Sequence, residues 1–246
     1  MSTSLEKFEL TDRFRTPLYS VSEGARYLDV PVSTFDTWAH GYRRQPHGRP
    51  PVFGAPLLAT LPRASRRGPE VPFVGLAQGL ALAAIRRSGV PLQRIRPALV
   101  EMGKEFGLEY ALASRRLYTD GAEVLFDYAL TRGADEGAAH AARELVVVRN
   151  GQRVFNDVVA SYLRRLDFRN DEYPWLVGLP AYRPGSVVAD PTRGFGQPVF
   201  ATGGARVEDV LSMFRAGEPL DVVSDEYGVP IEDLEDVVRV ATRTAA

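Results

Sequence analysis

The segment Tyr19 to Gly41, YSVSEGARYLDVPVSTFDTWAHG, constrains this chain more than any other, because it is punctuated as two short helices joined by a tight turn. Ser20 followed by Glu23 forms a capping-box pattern, in which hydroxyl and carboxylate satisfy backbone donors at the start of a helix. Val21, Ala25 and Leu28 then share one face, and Ala25 is small enough to admit a crossing helix. The residue before a proline is pushed out of helical geometry, so the first helix must stop by Val30, and Pro31 suits the first turn of a second. That second helix is expected from about Pro31 to Ala39, with Phe35 and Trp38 inward and Gly41 as its stop. Ser33, Thr34, Asp36, Thr37 and His40 are left outward.

In a helix-turn-helix the second helix meets base edges in the major groove, and the short side chains of Ser33, Thr34 and Thr37 suit close approach. An ordinary helical hairpin would also have a polar outer face, so charge must separate the two readings. Arg43, Arg44, Arg49, Arg63, Arg66 and Arg67 follow the second helix with no acid before Glu70. That is where phosphate contacts and a wing would sit. RRQPHGRPPVFGAPLL reads as two short extended pieces around Gly48, as a wing requires. The candidate DNA-binding residues are therefore Ser33, Thr34, Thr37, His40, Arg43, Arg44, Arg49, Arg66 and Arg67. His40 and His47 have no cysteine or third histidine at metal-ligand spacing and are read as surface or phosphate-contacting side chains.

The net charge of −1 hides an asymmetry, with 10 basic and 7 acidic residues in 1–70 against 10 basic and 15 acidic in 151–246. The front end suits a polyanion and the back end does not. With no cysteine, disulfides, thiolate metal sites and a cysteine nucleophile are excluded. The N-terminus lacks a signal-peptide pattern and no apolar run approaches the roughly 20 residues needed to span a bilayer, so a cytoplasmic protein without a membrane partner is expected. No GxSxG, HExxH or phosphate-cradling loop is present, and Glu232, Asp233, Glu235 and Asp236 do not converge on one face. The expectation is a non-enzyme without metal or cofactor.

Further along, FVGLAQGLALAAIRRSG and PLQRIRPALVEMGKEFG read as a helical pair closed by Gly89, with a kink or late start at Pro97. Arg86, Arg87, Arg94 and Arg96 flank the turn. SRRLYTDGAEVLFDYAL reads as a hairpin about Asp120-Gly121 and ELVVVRNGQRVF as another about Asn150-Gly151. VVASYLRRLDF is a strand or a short amphipathic helix, and DFRNDEYPWLVGLPAYRPGS a linker or extended arm. Three helical patterns follow, RVEDVLSMFRAG, PLDVVSDEYG and PIEDLEDVVRVATR, the last opening on acids that would repel phosphate. The expected fold class is mainly α with small β elements (α+β): a winged helix-turn-helix with its helix pair in 1–110, a mixed middle region in 111–184, and a C-terminal three-helix domain with a second helix-turn-helix in 185–246.

Tyr19 to Gly41, the arginine-bearing wing, and IRRSGVPLQRIRPAL with Gly89, Leu92 and Ile95 together resemble the MerR-type winged helix-turn-helix, although Asp29 stands where that family usually has glycine. VVADPTRGFGQPVF through GGARVEDVLSMFRAGEPLDVVSDEYGVPIEDLEDVVR is similar to a small domain of bacterial VapB-type antitoxins and relatives. The resemblance implies an antitoxin of a type II pair: a homodimer that binds operator DNA, represses its own operon and neutralises a PIN-domain ribonuclease toxin. In that family an extended segment with a basic residue enters the toxin's carboxylate-lined site. Arg164, Arg165, Arg169, Trp175 and Arg183 are the candidates for that role. A stand-alone MerR-like regulator with a ligand-sensing middle domain is the competing expectation.

Overall fold

The computed structural model describes residues 12–45, 51–65, 68–131, 135–149 and 151–244. Helix α1 (Asp12–Arg15) precedes the two helices of the turn motif, α2 (Val21–Tyr27) and α3 (Val32–His40). Ser20 caps α2 with both hydrogen bonds of the capping box in place. Strands β1 (Tyr42–Arg44) and β2 (Val52–Gly54) form an antiparallel pair in the wing position. Next come α4 (Phe73–Arg87) and α5 (Leu92–Phe106), separated by Gly89 at φ 88°. Helix α5 begins at Leu92 and runs on past Pro97, so the late start expected there does not occur. A proline six residues in removes one donor, and the tertiary packing of Ile95, Ala98, Leu99 and Met102 holds the helix together.

Every residue of α4 from Phe73 to Ile85 is buried. A helix apolar on all sides needs neighbours on all sides, and α1, α5 and the middle of the chain supply them. Its small residues set how near those neighbours come. A Cβ on Gly79 would lie 2.7 Å from Leu28 and 3.0 Å from Phe35, and one on Gly24 would lie 2.6 Å from Phe35. The Phe35 ring is thus wedged between α2 and α4, which fixes α3 relative to the core.

The Asp120-Gly121 hairpin expected from sequence is instead the middle of helix α6 (Arg115–Leu130), capped by Ser114. Leu117, Gly121, Ala122, Leu125 and Ala129 make its buried face. Gly121 is there for packing, since a Cβ would come within 3.1 Å of Phe155. Helix α7 (Glu136–Leu145) leads into the antiparallel hairpin of β3 (Val146–Arg149) and β4 (Gln152–Phe155), where Gly151 takes φ 78°. Asn150 lies outside the described residues. The next ambiguous segment resolves as helix α8 (Asp157–Leu163), capped by Asn156 and packed on α4.

The segment expected to be a linker or arm is folded into a four-stranded antiparallel sheet, β5 (Leu166–Asp167), β6 (Leu176–Gly178), β7 (Val187–Ala189) and β8 (Pro198–Phe200). The sheet runs across residues 184 and 185 through the β6–β7 pairing, which joins the middle of the chain to its end. Arg13 ties the N-terminus to this region. Its guanidinium, almost fully buried, bonds the Tyr173 and Pro174 carbonyls at 3.0 Å, pairs with Asp171 at 2.7 Å and stacks 3.9 Å from the Trp175 ring. Helices α9 (Val207–Arg215), α10 (Leu220–Tyr227) and α11 (Ile231–Thr244) pack together at the end. The architecture is mainly α with small antiparallel sheets.

The wedge can be tested by substitution. Gly24→Ala would normally stabilise a helix by up to about 1 kcal/mol; here it should destabilise by about 1–3 kcal/mol through overpacking, read from urea unfolding. Adding Phe35→Leu should recover part of the loss, and a stabilised Gly24→Ala would show that the ring yields freely.

Candidate nucleic-acid interface

The turn between α2 and α3 rests on Asp29, which takes the left-handed conformation at φ 53°. A short polar side chain tolerates that geometry better than most, so aspartate can stand where glycine is usual. Its carboxylate pairs with Arg87 at the end of α4, which anchors the turn. Behind α3, Phe35 and Trp38 are buried. In front, Ser33 and Asp36 are exposed while Thr34 and Thr37 are half-buried. Thr37 donates its hydroxyl to the Ser33 carbonyl at 2.8 Å, leaving its oxygen as an acceptor.

These side chains do not stand alone. Ser33, Thr34 and Thr37 share an open groove of about 610 Å³ with Tyr42 of the wing and Arg86, Gln93 and Arg96 from the α4–α5 turn. Arg96 bonds the Ala55 carbonyl and lies over the Tyr42 ring, 5.8 Å from its centroid. Its buried Nε has no hydrogen-bond partner, and burial lowers its pKa from the usual arginine value. The groove therefore combines hydroxyls and an amide able to meet base edges with two guanidinium groups able to meet phosphate. Gln93 carried no signal in the sequence, because only the fold brings its turn beside α3.

In the wing, Arg43 sits opposite Phe53 and Arg44 opposite Val52. The Arg43 guanidinium lies 5.2 Å from the centre of the Phe53 ring, and both residues are exposed. Arg49, Arg66 and Arg67 lie outside the described residues. His40 lies at the surface, as expected, but its ring is engaged. Its Nδ1 is 2.9 Å from Asp36 and its Nε2 3.0 Å from the buried carboxylate of Glu70, which also accepts from Arg63 at 2.7 Å. The ring is engaged on both sides and pins the end of α3 to the strand-like segment at Glu70.

The residues considered for a protein partner are held by different neighbours. Arg164 is exposed at the end of α8. Arg165 is half-buried beside the Tyr162 ring, and burial lowers its pKa. Arg169, at φ 50°, lies over Trp175 at 5.3 Å and 3.9 Å from Asp190. Trp175 is thus flanked by Arg13 and Arg169. Arg183 turns to α11, its backbone N–H donating to Asp236 at 2.7 Å and its side chain 3.7 Å from Asp233. Arg169 and Trp175 form a cluster; the other three do not join it through any contact described. Among the described residues there is no group of three or more histidine, aspartate or glutamate side chains that could hold a metal ion. No described helix is long and apolar enough to cross a membrane.

Residues 17–99, spanning this groove and wing, match a family described as a putative DNA-binding helix-turn-helix domain, and residues 187–240 match a family described as a protein of unknown function. The chain is 45% identical to the putative antitoxin VapB45 of Mycobacterium tuberculosis, over 94% of its own length and 96% of that protein. It belongs to the VapB45 family. A second relative in that organism, the uncharacterized protein Rv2308, is 28% identical over 93% of this chain and 92% of its own. The crystal structure of Rv2018 from Mycobacterium tuberculosis superposes with a TM-score of 0.79 at 42% identity, covering 92% of this chain and 99% of that one. The likeness in fold thus extends over 92% of this chain.

The His40 contacts predict a pH dependence. Burial disfavours the charged ring, but hydrogen bonds to Glu70 and Asp36 outweigh it and the pKa lies above the ordinary 6.5. A group whose folded pKa is raised contributes stability that is complete below its unfolded value and is lost as pH rises through the folded value. The stability difference between the protein and His40→Gln should therefore be larger at pH 5 than at pH 8.5 in urea unfolding. A difference that is flat with pH would mean that folding leaves the proton affinity of His40 unchanged, and one that shrinks toward pH 5 would mean that the folded protein disfavours the charged ring.

Proposed function

We propose that this protein is the antitoxin of a type II toxin-antitoxin pair, which binds operator DNA as a homodimer, represses its own operon and neutralises a PIN-domain ribonuclease toxin. The observation that carries the reading is the groove in which the polar face of α3 meets Arg86 and Arg96, in a chain of the VapB45 family. Ser33, Thr34 and Thr37 are assigned to base edges, and Arg43, Arg44, Arg86 and Arg96 to phosphates. Arg49, Arg66 and Arg67 of the basic run belong to the same assignment. His40 serves this surface by holding α3 in place. Two copies are required because a single motif reads too few base pairs for specificity.

On purified protein and promoter DNA, replacing Arg43 and Arg86 together by alanine should reduce the slope of log affinity against log salt by about 0.9 for each phosphate contact removed. Thr34→Ala should instead narrow the gap between operator and random DNA by roughly 1–3 kcal/mol. An unchanged slope with unchanged discrimination would remove this face from DNA binding.

For the toxin we assign Arg169 with Trp175, and Arg183, as the basic groups offered to a carboxylate-lined site. Separated fragments are poor tests, since α8 packs on α4 across the middle of the chain. The full-length protein co-expressed with the PIN-domain product of an adjacent reading frame should co-purify with it and protect the cells. Arg169→Glu with Arg183→Glu should abolish protection while leaving promoter binding intact, because a reversed charge against carboxylates is repulsive. Full protection by that double variant would place the toxin contact elsewhere.

A further inference from the structure

Between β7 and β8 the chain makes a turn, Gly194-Phe195-Gly196, in which three successive residues have positive φ of 57°, 54° and 76°. Glycine takes this geometry freely. Phenylalanine does not, and a non-glycine residue persists there only when its surroundings impose it. They do so here. Gly196 donates to Arg193 at 3.2 Å, Gln197 to Gly194 at 3.0 Å, and the buried Tyr19 hydroxyl clamps the Gly196 carbonyl at 2.8 Å. Asp190 secures the start of the turn by accepting from Thr192 and Arg193. The outcome is that Phe195 is 77% exposed. Single exposed apolar side chains are common, but this one is held outward by a braced, strained backbone.

Beside the turn lies an open cleft of about 660 Å³ between α2 and the C-terminal helices, with Tyr27, Tyr182, Leu211 and Ala241 among its walls. Arg206, Gln197 and Pro198 line it too, and a Cβ on Gly194 would sit 3.4 Å from Arg206, so knob and cleft adjoin. Arg26 and Arg215 add guanidinium groups to the walls. Glu23 and Glu208 line the cleft as well, with Arg215 paired to Glu208 and Arg206 to Asp209, so what it offers a ring is the apolar wall of Leu211, Ala241 and the two tyrosines; an aromatic knob beside such a wall can be matched by a second copy across a two-fold axis.

We infer that this face is the homodimer interface, with Phe195 of each copy seated in the cleft of the other. The inference rests on the dimeric reading above and names the surface that makes the dimer. An axis through α2 and the cleft would also set the spacing of the two recognition helices, because α2 forms one wall of the cleft.

Sedimentation equilibrium of the full chain tests it with Phe195→Gly, which removes the ring and relieves the backbone strain together. That variant should retain its far-ultraviolet circular dichroism and melting temperature while its dimer dissociation constant rises tenfold or more. Ala241→Phe, which fills the cleft from inside, should weaken the dimer likewise. A photoreactive benzoyl-phenylalanine at position 195 should give a cross-linked dimer joined to the partner's cleft wall. A monomeric parent protein at micromolar concentration would overturn both the dimeric reading and this interface. A dimer unaffected by Phe195→Gly, or cross-links from position 195 only to another protein such as the toxin, would overturn the interface alone.

Discussion

Helix α4 is the constraint on which the rest depends. A helix with no polar face must be enclosed, and enclosing Phe73 to Ile85 requires contributions from the turn motif before it and from Ala111–Ala113 and helix α8 far after it. The glycines of α2 and α4 convert that requirement into a position, because Phe35 enters only where Gly24 and Gly79 leave room. The position of α3 is consequently set by core packing together with the Asp29–Arg87 pair at its turn. Its polar face is then presented wherever the Phe35 wedge directs it.

The same logic joins the two ends of the chain. Tyr19 donates its hydroxyl to Gly196, and the Tyr27 carbonyl accepts from Ala181 at 3.3 Å while its hydroxyl reaches Gln197 at 3.3 Å. Burial holds the Tyr19 phenol well above its usual pKa, with the charges of Tyr27, Glu23 and Asp190 adding to the effect. Both tyrosines therefore act as neutral donors in the ordinary pH range. Arg13 does for α1 what the tyrosines do for α2. Two carbonyls, a carboxylate and an indole face satisfy a cation that would otherwise be costly to bury. The helix-turn-helix is thus built into the body of the protein.

What was legible in the sequence was local. The capping box at Ser20 and Glu23, the helix breaks at Pro31 and Gly89, and the hairpin at Gly151 each follow from chemistry within a few residues. Asp120-Gly121 carries the same dipeptide signal as a hairpin turn, yet Ser114 caps a helix through it and the glycine answers to Phe155, a contact 34 positions away. The arm was hidden for a related reason. Strands of two or three residues such as Leu166–Asp167 and Leu176–Gly178 are too short to show alternation, and only pairing reveals them. In the groove, Ser33, Thr34 and Thr37 could be found from helical spacing alone. Gln93 beside them, and the diversion of His40 to Glu70, depend on distant segments meeting.

Charge is the other property that the fold rewrites. The acids opening α11 suggest a strongly negative end, but Asp236 is nearly buried and accepts from the Arg183 backbone, and Asp233 faces the Arg183 guanidinium. Arg239 lies 3.4 Å from Asp236 as well. Glu232 and Glu235 are the acids left exposed in that turn. Nearby, Arg206 and Arg215 are paired with Asp209 and Glu208 at 2.6 and 2.7 Å. Ion pairs of this exposed kind contribute little to stability, and they fix where the few basic side chains of this end lie. Glu218, Asp221, Asp225 and Glu226 are exposed as well, so this end keeps its excess of acids, spread over the helix surfaces, and what sets one patch of it apart is shape. The aromatic turn at Phe195 and the cleft beside it are the features of this end with a shape to select.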